Sequence, residues 1–600
     1  MAIEQTPKNE LPPKYYLEYF NFVLDFVQEK YRHILKEDEW RFLRKFYCLS
    51  EDAQCLFIRF SNRRGLFFRV NKLSYSELND IPALLNELLE REFIESLNSE
   101  KHKTFSKEIL GVWTTKELVG QFSEPISQLR IDKKSSYKKL KKEELVEAIL
   151  QDFKLNEIVK ILNNFEPIIK VCFEYEVTFM KFLFFGNRYL DMTEFVMRDM
   201  GFVQFENHDD DKLVARFSTR KDAEDKWLIT DQNDLFFQLK DAAPALEVYD
   251  WFMNFADSVN DLSEVAKPSY ERLIIKVATF LEKSKLLDEA ILVYRLTEQV
   301  PSRERQVRTL QKLNHVDEAF SLCQQMIEYP KNADEKFYAI DFLNKLNTKK
   351  RTKKSTTSWL HQAESITISI DFRHQVEMGV VDYYHKEGKM AAFAENHLWR
   401  AIFGLVFWDI VFDPSLVAFH HPFQRRPSDL YLPDFYEKRK DLIINHLEGF
   451  ANVQDLLIYM GHRYESKFGI ANPFVVWLEE IWLLVRKAVE LIEFEAMKKI
   501  LHEMSKNLVE HLRGFPDLFV WDDSAVDTAA VDTAAVDFVA GQYCFVEVKS
   551  PTDNLSNQQL SWLQYFQEIG VNAKVLRVYW KENDALEMEN SQQPSVDSLP

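Results

Sequence analysis

Phe545-Val546-Glu547-Val548-Lys549, read together with the earlier stretch Arg513-Gly514-Phe515-Pro516-Asp517-Leu518-Phe519-Val520-Trp521, decides how this chain is understood. Side chains on a strand repeat with period two, so Glu547 and Lys549 share one face. In the earlier stretch Gly514 and Pro516 make a turn, and Asp517 opens an apolar, β-rich run. Two carboxylates and an ammonium then meet at one point. Carboxylate oxygens are what a hard divalent cation such as Mg²⁺ takes, and a lysine beside the metal positions or deprotonates a water for attack on phosphorus. After the lysine, Ser550-Pro551-Thr552-Asp553-Asn554-Leu555 reads as a turn. Ser556 reads as a helix cap, and Gln558-Gln559-Leu560-Ser561-Trp562-Leu563 as part of an amphipathic helix. A bare Glu-x-Lys is common on half-buried strands; the ordered context is what points to phosphodiester chemistry.

The segment from Arg513 to about Val578 resembles the virus-type replication-repair nuclease module (VRR-NUC), a branch of the PD-(D/E)xK nucleases. The resemblance is carried in order by Gly514-x-Pro516-Asp517, by Glu547-Val548-Lys549-x-Pro551-x-Asp553-x-Leu555-Ser556, by Gln559 and by Trp562-Leu563. Between the two acids the chain departs from that pattern. Ala525-Val526-Asp527-Thr528-Ala529 is repeated in Ala530-Val531-Asp532-Thr533-Ala534 and begins again at Ala535-Val536-Asp537. This insertion is expected to lie outside the sheet as an exposed loop with its Asp residues toward solvent.

A second segment widens the resemblance. Glu395-Asn396-His397-Leu398-Trp399-Arg400-Ala401-Ile402-Phe403-Gly404-Leu405-Val406-Phe407-Trp408-Asp409-Ile410-Val411-Phe412 reads as a buried helix with a lone acid at its start, followed by Pro422-Phe423-Gln424 and Pro427-Ser428-Asp429-Leu430. On residues alone, Glu395 is a helix-start acid favoured by the macrodipole. The segment is similar to the helix ahead of the nuclease core in the Fanconi-associated nuclease family, and that resemblance implies that Glu395 adds an acid to the metal site. It further implies that Asp517 and Glu547 bind Mg²⁺ or Mn²⁺ with the Val548 carbonyl, that Lys549 orients the attacking water, and that Gln559 supports them. The implied activity is a structure-specific DNA nuclease that cuts 5′ flaps and branched DNA, with 5′-to-3′ exonuclease action, in interstrand crosslink repair. Repair proteins are implied partners of its helical array. No ubiquitin-binding zinc finger precedes the first domain, so a bacterial form is expected, cytoplasmic and nucleoid-associated, or nuclear if the source is eukaryotic. Two other readings stay open, a Holliday-junction resolvase and a noncatalytic repair scaffold.

Six hundred residues exceed one core. No run of about 18 uninterrupted apolar residues is present; Phe474 to Phe494 is broken by Glu479, Glu480, Arg486 and Lys487, so no membrane partner is expected. The first residues, with Glu4, Lys8 and Glu10 before any apolar run, do not read as a signal peptide. Five cysteines without CxxC spacing argue for a reducing compartment and against a zinc ribbon. His420-His421 and His511 form no convincing zinc set, although His511 and Arg513 lie close enough in sequence to Asp517 to be weighed as phosphate contacts. Only 14 glycines and no Walker A motif exclude a nucleotide cofactor.

The net charge of -19 opposes nucleic-acid binding at first sight, yet distribution matters more than the sum. Lys133, Lys134, Lys138, Lys139, Lys141 and Lys142 form one basic cluster, and Lys349, Lys350, Arg351, Lys353 and Lys354 a second. Either suits backbone phosphates, and the second also reads as a nuclear-localisation patch.

The fold class expected is multidomain, mostly α-helical, with a C-terminal α/β PD-(D/E)xK core. Residues 1–105 are predicted helical with a hairpin near Leu56 to Val70, turning at Arg63-Arg64-Gly65. Residues 106–170 resemble a SAP-type DNA-binding module, with short helices at Ile109–Leu118 and Lys142–Leu150. Residues 171–355 read as a degenerate, TPR-like helical array, because Leu287-Asp288-Glu289-Ala290 is echoed in Val316-Asp317-Glu318-Ala319 at less than the roughly 34-residue tetratricopeptide period. Within it, Phe184 to Leu190 is assigned to packing. Residues 356–582 form the nuclease domain and 583–600 an acidic tail.

Overall fold

The computed structural model describes residues 11–129, 137–208, 212–348, 353–522 and 543–581. The tandem repeat at Ala525–Asp537, Lys133, Lys134, Lys349, Lys350, Arg351 and the 583–600 tail lie outside the described residues, as does the side chain of Lys138. The chain divides into two compact units, residues 1–204 with 213–220, and 205–212 with 221–600.

The first unit opens on the aromatic helix Tyr15–Tyr31, which buries Phe20, Val23, Leu24, Val27 and Tyr31 completely. The hairpin expected near Leu56 to Val70 does not form. Residues Glu51–Ser61 are a helix capped by Ser50, whose side chain accepts from the Ala53 amide; buried Ala53, Leu56, Phe57 and Phe60 recur at helical spacing, and Cys55 and Ile58 are buried beside them. The turn at Gly65 is real, with φ +91°, but Phe67–Arg69 (β1) pairs with the distant Ile168–Val171 (β3). Ile94–Ser96 (β2) pairs with the other edge of β3, giving the order β1-β3-β2, all antiparallel.

Between β2 and β3, helices Ser106–Gly111, Thr115–Leu129, Lys142–Asp152 and Leu155–Phe165 close on Ile109, Leu110, Leu118, Phe122, Leu145, Ile149, Ile158 and Leu162. The predicted Ile109–Leu118 helix is therefore two helices, whereas Lys142–Leu150 falls inside one. Phe67, Leu97 and Ile168 join the same core, so this segment and the strands around it share one interior. Phe184 and Phe185 are buried at the end of the Glu174–Phe185 helix, which Gly186 terminates at φ +70°.

In the second unit, helices Lys267–Lys283, Leu287–Tyr294, Ser302–Lys312, Val316–Glu328 and Ala333–Thr348 follow one another as an array. The sequence echo has a physical meaning: each copy opens a helix, placing Asp-Glu in the first turn where the dipole favours it and a fully buried alanine, Ala290 or Ala319, against the core. A buried ion pair of Arg303 with Glu335 fixes the last array helix to Ser302–Lys312, two helices earlier.

The nuclease sheet comprises Glu364–Ser369 (β4), Met390–Phe393 (β5), Leu518–Trp521 (β6), Tyr543–Lys549 (β7) and Ala573–Lys581 (β8), in the order β4-β8-β7-β6-β5. β8 runs parallel to β4 and β7, while β6 is antiparallel to β5 and β7, with Leu518 opposite Val546. β7 is buried on both faces. Cys544, Val546 and Val548 pack with Ile368, Val380 and Tyr384, and Phe545 meets Phe519, Trp399 and Phe566 at 5.0, 5.5 and 5.4 Å between ring centroids. The helix predicted from Glu395 to Phe412 is divided into Leu398–Val406 and Trp408–Val411 at Phe407, and Glu395 sits in the turn ahead of it. Asp429, from the Pro427-Ser428-Asp429-Leu430 motif, forms a two-pronged buried ion pair with Arg439 at 2.9 and 3.2 Å. No helix among the described residues is long and apolar enough to cross a membrane.

Candidate active site

Asp517 stands at the entrance to β6, one residue before the strand pairs with β7, so its side chain reaches across to the neighbouring strand. There Asp517 Oδ2 accepts the Val548 amide at 2.7 Å. On β7, Glu547 and Lys549 share a face as period two requires, and Lys549 Nζ lies 2.7 Å from Glu547 Oε1. Glu547 is fully buried and Lys549 nearly so. Gln559, in the first turn of the Asn557–Ile569 helix, does two things with one amide. Its Oε1 accepts the Ser556 amide at 2.9 Å, completing a capping box, and its Nε2 donates to Glu547 Oε1. Glu547 Oε2 has no hydrogen-bond partner among the described residues.

A buried carboxylate with an uncommitted oxygen is costly unless a cation meets it. Burial is the main reason that the Asp517 carboxyl is pushed up to about 6; the Val548 amide and Lys549 oppose the shift, while Glu395 and Glu377 add to it. Burial and the Asp517 charge push Glu547 up to about 8, against Lys549. Burial works against the Lys549 charge, yet Glu547 outweighs it and holds that ammonium above its usual value. These shifts pull in opposite directions on one pair: a neutral Glu547 would lose the attraction that raises Lys549. Lys549 Nζ at Glu547 Oε1 offsets part of this, but the crowding of Asp517 and Glu547 leaves the site reluctant to carry both negative charges.

Glu395 lies beside this pair through its backbone, with Ala394 N and Glu395 N donating to Asp517 O at 2.8 and 3.4 Å. Its own carboxylate accepts from Asn396 Nδ2 at 3.1 Å, and its charge is felt by both buried acids. Glu377, in the first turn of the Val376–Lys386 helix, is a further acid acting on Asp517 that sequence reasoning missed. Its only local signal was an acid at a helix start, which carries no address. Among the described residues no three acidic, histidine or cysteine groups already converge as a metal cluster. The donor set nonetheless suits a hard cation: two carboxyl groups, one oxygen uncommitted, and further acids at the rim.

Other sequence candidates have contacts of their own. His511 Nδ1 donates to the Glu503 carbonyl at 2.6 Å and its ring packs edge-on to Trp562, while the Arg513 carbonyl accepts Trp562 Nε1 at 3.0 Å. Lys139 and Lys141 are exposed, whereas Lys142 Nζ is held by the Gly111 carbonyl at 2.7 Å.

Residues 14–95 match the family described as FAN1, HTH domain, and residues 452–580 match the VRR-NUC domain, which contains Asp517, Glu547, Val548, Lys549 and Gln559. A Fanconi-associated nuclease 1 homolog of Pseudomonas aeruginosa is 25% identical over 585 residues, spanning 95% of this chain and 97% of its own. The chain carries a FAN1 HTH domain and a VRR-NUC domain and is similar over nearly its whole length to a Fanconi-associated nuclease. Its VRR-NUC domain makes it a phosphodiester-cleaving hydrolase, and that domain implies a divalent metal cofactor. The Fanconi-associated nuclease 1 homolog of Arabidopsis thaliana is 26% identical over 629 residues, 95% of this chain and 68% of the relative. The fold is shared with the crystal structure of paFAN1 bound to 2nt 5′ flap DNA with gap, at a TM-score of 0.77 and 24% identity over 96% of this chain and 100% of that one.

Proposed function

We propose that this chain is a metal-dependent nuclease that cuts 5′ flaps and related branched DNA, trims DNA in the 5′-to-3′ direction, and acts in interstrand crosslink repair. One observation carries the reading: Asp517 and Glu547 are brought together in a buried site, with Lys549 bonded to Glu547 and an oxygen of Glu547 uncommitted. The crystallised relative paFAN1 holds 5′ flap DNA on the same fold, which supports the choice of substrate.

Asp517, Glu547 and Glu395, with the Val548 carbonyl, are the groups that would hold Mg²⁺ or Mn²⁺. When bound, the cation supplies positive charge against the scissile phosphate and favours ionisation of the attacking water. The chain's own part is positional. The Val548 amide fixes the Asp517 carboxylate, Gln559 and Lys549 fix that of Glu547, and Lys549 turns the water toward phosphorus and stabilises charge as it builds on the phosphate oxygens. Water oxygen bonds to phosphorus as its proton passes to solvent, the bond to the departing sugar oxygen breaks, and that oxygen takes up a proton from solvent. Exposed Lys139 and Lys141 are assigned to backbone phosphates.

The test is cleavage of end-labelled 5′-flap, four-way-junction and plain duplex DNA with Mg²⁺ or Mn²⁺, beside a Glu547→Ala control. Flap cutting that disappears in the control supports the proposal. Preference for four-way junctions together with a dimeric mass would replace it with a resolvase, and flap binding without cutting would leave a scaffold.

A further inference from the structure

The first turn of the Asn557–Ile569 helix is gripped from two sides. On one side Gly514, at φ +78°, lies so close that a Cβ there would stand 2.7 Å from Gln558 Cβ and 2.8 Å from both the Gln558 carbonyl carbon and the Gln559 nitrogen. The loop that leads to Pro516 and Asp517 thus rests directly on the backbone of this turn. On the other side is Asp334, in the first turn of the array helix Ala333–Thr348. Its Oδ1 accepts Asn557 Nδ2 at 2.8 Å and its Oδ2 accepts Gln558 Nε2 at 2.5 Å. The next residue, Gln559, is the one that donates to Glu547.

Asp334 is itself firmly seated. Asn332 Oδ1 accepts the Glu335 amide at 2.9 Å, and Glu335 is fully buried in its pair with Arg303. Behind the polar contact, Phe337 of the array packs with Leu555, Leu560, Leu563 and Val575 of the nuclease core. A short side chain with both oxygens engaged, backed by an apolar seam, has little freedom to move.

We propose that Asp334, although it belongs to the helical array, is a positioning residue for the nuclease site. It pins two consecutive side-chain amides at the head of the Asn557–Ile569 helix, which sets the height of Gln559 against Glu547 and the seat of the Gly514 loop that carries Asp517. The array is then part of the catalytic apparatus, and loosening it at this point slows cutting without releasing DNA. This inference rests on the nuclease reading above.

The experiment uses the full chain and Asp334→Asn, which keeps volume and one acceptor oxygen but presents an amide donor to a donor. The expected result is a roughly 10–100-fold loss of single-turnover cutting or a comparable rise in the Mg²⁺ or Mn²⁺ concentration for half-activation, the range typical of groups that orient metal ligands. Flap affinity measured in Ca²⁺ should stay within twofold, and the melting temperature should stay near that of the parent. In a Gln559→Leu background Asp334→Asn should add almost nothing, because both changes release the same side chain. Losses that multiply in the double variant, or a loss confined to DNA affinity, would overturn the inference. Glu547→Ala run beside them separates the two claims: if it still cuts, the nuclease reading fails; if it is dead while Asp334→Asn cuts normally at every metal concentration, only the role of Asp334 fails.

Discussion

Removing the Glu547 charge while keeping its shape should stabilise the metal-free protein and abolish its activity. In the folded chain Glu547 titrates at about 8 against an ordinary 4.5, with burial the main cause. A carboxyl raised in this way contributes stability that is fully present below its unfolded value and is lost as pH rises through its folded one. At pH 7.5 the unfolded chain is ionised at this position and the folded one mostly is not. Three pH units at about 1.36 kcal/mol each make a penalty of about 4 kcal/mol. Relaxation of the pair and entry of water reduce that to about 2 kcal/mol. Glu547→Gln keeps an oxygen for Lys549 Nζ and Gln559 Nε2 and removes the titration. In EDTA at pH 7.5 the variant should melt roughly 2–4 °C higher than the parent. At pH 5 the advantage should shrink to about a fifth, since most of the window between 4.5 and about 8 over which stability is lost lies above that pH. Added Mn²⁺ should raise the melting temperature of the parent and leave the variant unmoved. A variant that melts lower in EDTA at pH 7.5, or whose advantage is equal at pH 5, would refute the account of this site as a strained pair of acids waiting for a cation.

Lys549→Ala should lower single-turnover flap cutting by about 10³-fold with flap affinity in Ca²⁺ intact; retention of a tenth of the rate would remove Lys549 from the chemistry. Because protons compete with the cation at Asp517 and Glu547, half-activation by Mg²⁺ should need less metal as pH rises from about 6 to 8, and a pH-independent midpoint would contradict the raised carboxyls. Arg439→Ala strands Asp429 in the interior and should cost about 3–5 kcal/mol, read as a fall in the melting transition of the second unit. Lys139→Ala with Lys141→Ala should flatten the salt dependence of flap binding by about one to two units of slope, whereas Lys142→Ala alone should not, because its ammonium is already held by Gly111.

The part of the fold that was legible in the sequence is the part written locally. Ser556 announced its helix, Pro516-Asp517 its strand, and Glu547-Val548-Lys549 its shared face, since caps, turns and period two are short-range facts. The failures are all failures of partnership. Arg63-Arg64-Gly65 does turn, but the arm before it obeys helical burial and the strand after it finds Ile168–Val171 rather than its neighbour. The split at Phe407 places Phe407 against Phe403 and His446, contacts that apolar periodicity cannot reveal in an unbroken run of large side chains. Glu377 and Asp334 were invisible for the same reason: each is an ordinary acid in a helix's first turn until a residue far along the chain arrives beside it.

The order of strands in the nuclease sheet has a consequence for how the enzyme is made. β5 ends at Phe393 and waits for β6 at Leu518; β4 ends at Ser369 and has no partner until β8 is complete at Lys581. A ribosome therefore releases the helical array and a pair of unmatched strands long before Asp517, Glu547 and Lys549 exist together, and sheet closure across such separations is slow. The cutting centre is assembled only after the helical array has been made, so a polypeptide interrupted before β8 is a scaffold without a blade.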